Sequence, residues 1–483
     1  MNPAIPARPT FVVPVLAFCG VVVAVMQTLV VPLLPHVPEL TGSTPAAAGW
    51  LVTVTLLTGA VFTPVLGRVG DLYGKRRVLL ASLWVLTAGS VLCAVSSDIG
   101  VLITGRALQG AALAVIPLGI SIIRDELPAE RVLPSIALMS SSLGIGAAVG
   151  LPVAALVVEH FDWHTMFWAS AGLGLLDVLL VLWIAPVYDT SSRRAPGRFD
   201  TVGALGLAAT LVGLLLVITQ GPEWGGAAPR TLGLLAGSVL VGLVWGRYEL
   251  RHSSPMVDLR VSARPAVLLA NVAALLIGFA FYANSLVTAQ LVQEPVATGY
   301  GLGASIVESG LCMLPGGLAM VALSPVSARL SARYGPRTAL AVAAAVMAAG
   351  YVVRFFTSHS LWPIVAGATV VASGTAIAYS ALPALVMQAA PVSETGAANG
   401  LNTLMRSVGQ ACCSTVVTVV LAHVTFRAGG REAPTLHAYL LIFLIAGGTA
   451  LAALGAALLL PARRPVRSQD RRRTPRPAAQ ESA

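Results

Sequence analysis

Few residues in this chain are placed to do chemistry, and most of them suit proton or solute binding rather than bond making. Asp177 is the one acid deep inside a long apolar stretch, while Glu308 opens another, Glu294 follows one and Glu159 ends one. A carboxyl that burial favours in its neutral form can take up and release a proton near working pH. Asp177 and Glu308 are therefore the candidate proton carriers. The plainer alternatives are a neutral acid bonded between helices for Asp177 and a hydrated interfacial acid for Glu308. Arg106 lies a few residues inside an apolar block, where an arginine is costly unless it has work to do or snorkels to the surface.

Polar side chains on otherwise apolar stretches form a second set: Gln27, Gln109, Asn271, Tyr282, Asn284, Gln290, Tyr379, Gln388 and Arg406. Together they predict a weakly polar pocket for amphipathic compounds, though any one could simply bond a neighbouring helix. His160 and His164, with Glu159 and Asp162, have a metal-compatible spacing, but a short external loop explains them better. The five cysteines lie in apolar blocks without metal spacing and read as small apolar side chains. No Gly-x-x-x-x-Gly-Lys-Ser/Thr loop is present, so ATP is not expected to drive this chain. No nucleophile–base set appears, so no enzyme, cofactor or metal is expected.

The elements that must position these groups are membrane spans. Of 483 residues, 56% are hydrophobic and 10% charged, with a mean hydropathy of +0.83. A water-soluble domain carries ~25% charged residues, so the bilayer is the solvent that fits. The net charge of +10 sits in short loops between apolar blocks, not on one basic face, which argues against nucleic acid. Lys75 is the lone lysine; arginine with abundant Ala, Gly and Val points to a GC-rich bacterial genome and a bacterial inner membrane.

Spanning takes ~20 apolar residues. The first six blocks are Phe11–Leu34, Ala46–Leu66, Val78–Val95, Val101–Ile123, Pro134–Val158 and Thr165–Ile184. Two more, Thr201–Thr219 and the short Thr231–Trp245, precede Ala266–Leu291, Ser305–Val326 and Thr338–Phe356. Trp362–Met387, Ala398–His423 and Ala438–Leu460 bring the expected number to fourteen. The first block is too long for a signal peptide. With the N-terminus in the cytoplasm, cytoplasmic segments hold 24 of the 30 Lys and Arg and external loops 3. The positive-inside rule then places both termini in the cytoplasm, and residues 461–483 read as a disordered cytoplasmic tail.

An internal repeat supports the same layout. Segments Thr63–Arg77 and Ser324–Thr338 match at a constant offset of 261 residues, with Pro64, Arg68, Tyr73, Gly74 and Arg76 matching Pro325, Arg329, Tyr334, Gly335 and Arg337. Repeated halves mark secondary transporters, whose substrate site lies where the halves meet. The matching spans are eight apart, so two spans are inserted between six-span halves. The expected division is 1–186, an inserted pair and linker at 187–264, a second bundle at 265–460, and the tail.

Gly67-Arg68-Val-Gly-Asp71-Leu-Tyr-Gly74-Lys75-Arg76-Arg77 resembles the loop 2–3 signature of the major facilitator superfamily. The resemblance implies a tight turn between helices and an acid–base gate at the cytoplasmic face, with Asp71 its central element in stabilising the outward-facing state. The second copy has Ala332 in that place, so a lopsided gate is expected. Arg106-Ala-Leu-Gln109-Gly110 is similar to the family's helix 4 motif, whose arginine assists proton coupling. Gly146, Gly150 and Pro152 resemble the antiporter motif of helix 5, although Gly-Leu-Pro and Ala154-Ala155 depart from its usual form. Asn399–Gln410 is also similar to the fourteen-helix drug:proton antiporter branch. Gln27 stands where that branch usually has an acid in helix 1.

The resemblance implies an all-α polytopic major facilitator fold, two pseudo-symmetric six-helix bundles with two helices between them. It implies proton-coupled efflux of amphipathic small molecules by a monomer in the bilayer. The alternatives are a facilitator or symporter of one defined solute and, further off, a lipid-handling protein or membrane enzyme.

Overall fold

The computed structural model describes residues 9–30, 33, 37–184, 199–226, 228–252, 255–357, 360–389, 395–428 and 431–460. The expected tail at 461–483 and the linker stretch at 185–198 lie outside them. The first half of the chain forms α1 (Pro9–Thr28), the short α2 (Val37–Thr41), α3 (Pro45–Tyr73) and α4 (Lys75–Ala94). It continues with α5 (Ile99–Ala111), which a 3-10 turn joins to α6 (Val115–Glu126), then α7 (Ala129–His160) and α8 (His164–Trp183). A hairpin of α9 (Thr201–Trp224) and α10 (Pro229–Glu249) follows, with the short α11 (Leu259–Ser262). The second half holds α12 (Pro265–Gln293), α13 (Ile306–Ala322), α14 (Ser324–Tyr334), α15 (Pro336–Thr357), α16 (Leu361–Ala389), α17 (Thr395–His423) and α18 (Leu436–Leu459).

Among the described residues, twelve helices are long and apolar enough to cross a membrane, and α13 with α14 makes a thirteenth span bent by 41°. Helix α7, 32 residues long, occupies the place of the expected fifth span. The observed elements are thus consistent with fourteen. The fold is not wholly helical: β1 (Thr425–Ala428) and β2 (Arg431–Pro434) pair antiparallel between α17 and α18. Nothing in the apolar pattern of the chain announced this hairpin.

Local chemistry fixes the helix ends. Thr44, Asp98 and Thr435 accept backbone N–H groups at the starts of α3, α5 and α18. Such caps satisfy donors that a helix start leaves without partners. The repeat is preserved in three dimensions at Gly74 (φ 109°) and Gly335 (φ 87°), which alone separate α3 from α4 and α14 from α15. An L side chain rarely adopts that φ, so each glycine makes a one-residue turn possible. The signature expected as a loop is therefore helical up to Tyr73 and again from Lys75. Pro64 lies inside unbroken α3, whereas its counterpart Pro325 stands in the first turn of α14, just after the bend.

Packing gathers into two large apolar cores. One draws on residues between Val12 and Ile184, joined by Met387; the other runs from Ala273 to Leu460. A third, smaller core is built by α9 against both: Leu207, Leu211 and Leu215 pack with Ala60 of α3 and with Leu404 and Ala411 of α17. The inserted hairpin thus lies along the α3–α17 crossing.

Candidate functional site

A cavity of about 150 Å³, measured as the space open to the centre of a water molecule, lies between the two cores. From the first half α1 contributes Ala24, Gln27 and Thr28, α3 contributes Val52 and Leu56, and α6 contributes Ile116. From the second, α12 lends Phe281, Tyr282 and Ser285, α13 lends Met313 and α16 lends Tyr379. The remaining face belongs to α17, with Thr403, Arg406, Ser407 and Gln410 at helical spacing along one side. Arg406 stacks over the Tyr379 ring, 4.5 Å from its centroid. The Tyr379 hydroxyl is buried and makes no hydrogen bond of good geometry among the described residues, although Gln410 lies beside it.

Of the polar residues expected to line a pocket, Gln27, Tyr282, Tyr379 and Arg406 do so. Gln290 and Gln388 are exposed near the ends of α12 and α16. Asn271 is buried and accepts from Asn402 Nδ2 at 3.1 Å. Asn284 faces a smaller neighbouring cleft, where its Nδ2 donates to Ala368 O at 3.2 Å and its Oδ1 accepts from Arg354. Thr403, Ser407 and Gln410 were missed; their spacing around Arg406 at i−3, i+1 and i+4 was the available signal.

Arg106 does not snorkel. It is buried on α5, donating from Nε to Leu51 O of α3 at 3.1 Å and from one Nη to Met26 O of α1 at 2.9 Å. The same nitrogen donates to Gln109 Oε1 at 2.7 Å, and Gln109 Nε2 donates to Ser90 of α4 at 2.8 Å. One guanidinium thus ties two helices that border the cavity, and Gln109 supports it from behind rather than lining the pocket. Arg354, which from sequence falls within or near the end of its apolar block, is equally buried, on α15, with its charge over the Phe443 ring at 4.3 Å. Hydropathy gives no account of which face of a helix an arginine occupies, and this hid its role.

At one end of the molecule the two halves meet through Asp71. Its two oxygens accept N–H bonds from Gly396 (3.1 Å) and Ala397 (3.0 Å) in the first turn of α17. A carboxylate there satisfies free donors and meets the positive end of the helix dipole. Lys75 lies 3.4 Å from Asp71 and 2.5 Å from Asp125 on α6, so a buried acid–base–acid row braces the contact. Gly67 is not part of the turn. A Cβ on it would run into the Gly396 carbonyl, and one on Gly400 into Thr63 O, so these glycines allow α3 and α17 to cross backbone to backbone. Arg68 is buried near this crossing, Arg76 is half-buried and Arg77 is exposed. In the second copy Ala332 offers no carboxylate, and Ser327 instead meets Ser380 of α16.

Helix α7 fills the seam between α1 and α13. A Cβ on Gly146 would strike Ala24, one on Gly150 would strike Thr28, and Gly310 of α13 packs directly on Pro152. Asp177 is fully buried on α8, beside Cys19 of α1 and away from the cavity lining. Neither of its oxygens has a hydrogen-bond partner of good geometry among the described residues. Glu308 is exposed and engaged in a capping box, accepting Ser305 N at 2.7 Å while Ser305 Oγ accepts Glu308 N at 3.2 Å. In the histidine pair at the α7–α8 junction, His164 Nδ1 pairs with Asp162 at 2.6 Å while His160 Nδ1 bonds Leu156 O. The two bonds from His164 hold the Asp162 carboxyl below its ordinary range.

Residues 16–414, and separately 274–481, match the Major Facilitator Superfamily. The chain belongs to that superfamily. This major facilitator is 28% identical over 376 residues to multidrug resistance protein Stp of Mycobacterium tuberculosis, covering 77% of this chain and 68% of that protein. It is 26% identical over 408 residues to the tetracenomycin C resistance and export protein of Streptomyces glaucescens, covering 83% of this chain and 73% of that one. Its fold matches the crystal structure of the human organic anion transporter MFSD10 (TETRAN) with a TM-score of 0.67 at 17% identity, over 93% of this chain and 99% of that one. It is a multi-pass membrane transporter, not an enzyme.

Proposed function

We propose that this major facilitator exports amphipathic small molecules from a bacterial cell in exchange for protons. It would act as a monomer in the inner membrane with both termini in the cytoplasm. The observation that carries this reading is the cavity between the halves, bounded at one end by the Asp71 contact with α17. Halves at 1–186 and 265–460 would rock about that cavity, exposing it to one side and then the other. Asp71, Lys75 and the surrounding signature would latch the cytoplasmic face shut; Gly146, Gly150 and Pro152 would hold α7 close enough for the halves to move as units. The drug-resistance and drug-export names of the relatives favour export over uptake.

For the proton, Asp177 is the better carrier of the two acids, because it is buried without a well-placed donor. Glu308 already has its work in the capping box. Arg106, next to the cavity wall, would transmit protonation to α1 and α3. The test is proton movement in proteoliposomes under an imposed pH gradient while amphipathic compounds of either charge are added. Compound-dependent collapse of the gradient, lost in Asp177→Asn and kept in Glu308→Gln, is the expected result.

One observation favours a second reading. Gln27 places an amide in the cavity where the antiporter branch has an acid, and among the described residues no carboxylate lines the cavity. A facilitator of the same fold would move compound with no proton movement, and that outcome of the same assay would replace antiport.

A further inference from the structure

We infer that the cavity selects amphipathic anions over lipophilic cations, with Arg406 as the residue that sets the preference. This rests on the reading of the cavity as the compound site. Among the described residues, Arg406 is the only charged one in the lining. It is 7% exposed, held against the Tyr379 ring, and no Asp or Glu of the lining stands near to neutralise it. In a poorly hydrated site a fixed charge acts strongly, because little water screens it. A bulky cation entering this space would meet a like charge and gain no carboxylate partner.

An anion finds the opposite. The guanidinium offers N–H donors to a sulfonate, carboxylate or phenolate, and its stacking on the ring covers one face while leaving the edge for a ligand. Tyr379 adds a buried hydroxyl with no well-formed bond among the described residues. Ser407 and Thr403 place further hydroxyls along the same side of α17. The apolar wall of Phe281, Met313 and Leu56 would take the rest of the molecule. Gln27 completes the argument, since an amide can donate to an anion and brings no negative charge.

Tetraphenylborate and tetraphenylphosphonium have equal size and shape and opposite charge. Their equilibrium binding to the detergent-purified full chain, with protein-free micelles as blank, reads the preference as a ratio. The borate is expected to bind at least about tenfold more tightly, a difference of ~1.4 kcal/mol. Arg406→Gln should bring the ratio to within about threefold, and Arg406→Lys should retain most of it. If Arg406→Gln does not fold, Gln27→Glu supplies the second test, since a carboxylate facing the cavity should lower the ratio. Equal binding of both ions, tighter binding of the phosphonium, or a ratio unmoved by Arg406→Gln or Gln27→Glu overturns the charge inference while leaving export standing. Absence of saturable binding by either ion overturns both, because the cavity is then no compound site.

Discussion

Both halves of this transporter bury an arginine at the same level, yet they choose opposite members of one helix pair. The offset of 261 that relates the halves pairs Cys93 with Arg354 and Arg106 with Gly367. In the first half the guanidinium comes from α5, and small Cys93 on α4 packs against Gly105. In the second it comes from α15, and the missing side chain of Gly367 on α16 leaves room for the arginine stem. The exchange keeps the volume and changes the partners. Arg106 reaches main-chain carbonyls of α1 and α3, both of which border the cavity. Arg354 reaches Asn284 of α12 and the ring of Phe443 on α18, which lends nothing to the cavity. Pseudo-symmetry of the backbone therefore does not carry over to these two charges. Of this related pair Arg106 is the one tied to two helices of the cavity wall, whereas Arg406, which lines the cavity itself, lies outside the exchange.

The comparison breaks most visibly at those arginines. Arg106→Met should abolish transport and lower unfolding stability by about 3 kcal/mol, since buried acceptors lose their donor. Arg354→Met should cost about 2 kcal/mol of stability through the lost cation–π contact while transport continues. Initial transport rates and thermal unfolding of the two purified variants decide it, and equal loss of transport in both would erase the distinction.

The Asp71 contact with α17 gives the next largest effect. Asp71→Asn removes a charge from the N-terminus of α17, an interaction worth up to ~2 kcal/mol. Amide hydrogen exchange at Gly396 and Ala397 should accelerate by about tenfold, as ~1.4 kcal/mol predicts. Ala332→Asp in the second copy should leave those amides unchanged, because the matching position faces no such helix start in α17.

The smallest contrast lies at Gly67, whose repeat counterpart is Ala328. Gly67→Ala would drive a Cβ into the Gly396 carbonyl, a backbone atom that cannot easily yield, at a cost of about 1–3 kcal/mol. Ala328→Gly should cost ~1 kcal/mol or less, the propensity difference alone. Thermal unfolding midpoints would sharpen or remove the claim that only the first copy needs a bare backbone.

How much of this was legible in the sequence varied with the physics behind each feature. Spans show because hydrocarbon demands unbroken apolar runs, and the repeat showed through Pro64, Tyr73 and Gly74 with their partners. Gly74 was legible as a turn residue; Gly67 was not separable from it, since close approach of a distant helix leaves no local trace. Arg406 was placed among the cavity residues, but Arg354 was not distinguished from a helix-end arginine. Asp125 escaped notice because it follows a span like any interfacial acid, and only the fold brings it to Lys75. Glu308 was legible as polar and at a helix start; the Ser305-x-x-Glu308 spacing is itself the capping signature, and it accounts for this residue without the proton.

Helix α9 rests in the groove of α3 and α17, with Ile218 O accepting the Thr415 hydroxyl at 2.6 Å and its leucines spread over both halves. Of the two seams along which the halves meet, this one is covered. The other, between α7 and α13, has no such cover among the described residues. The two seams between the duplicated bundles are therefore not equivalent: an added helix spans one, while the other is held by the bundles' own close packing, Gly310 on Pro152 and Gly144 on Met320.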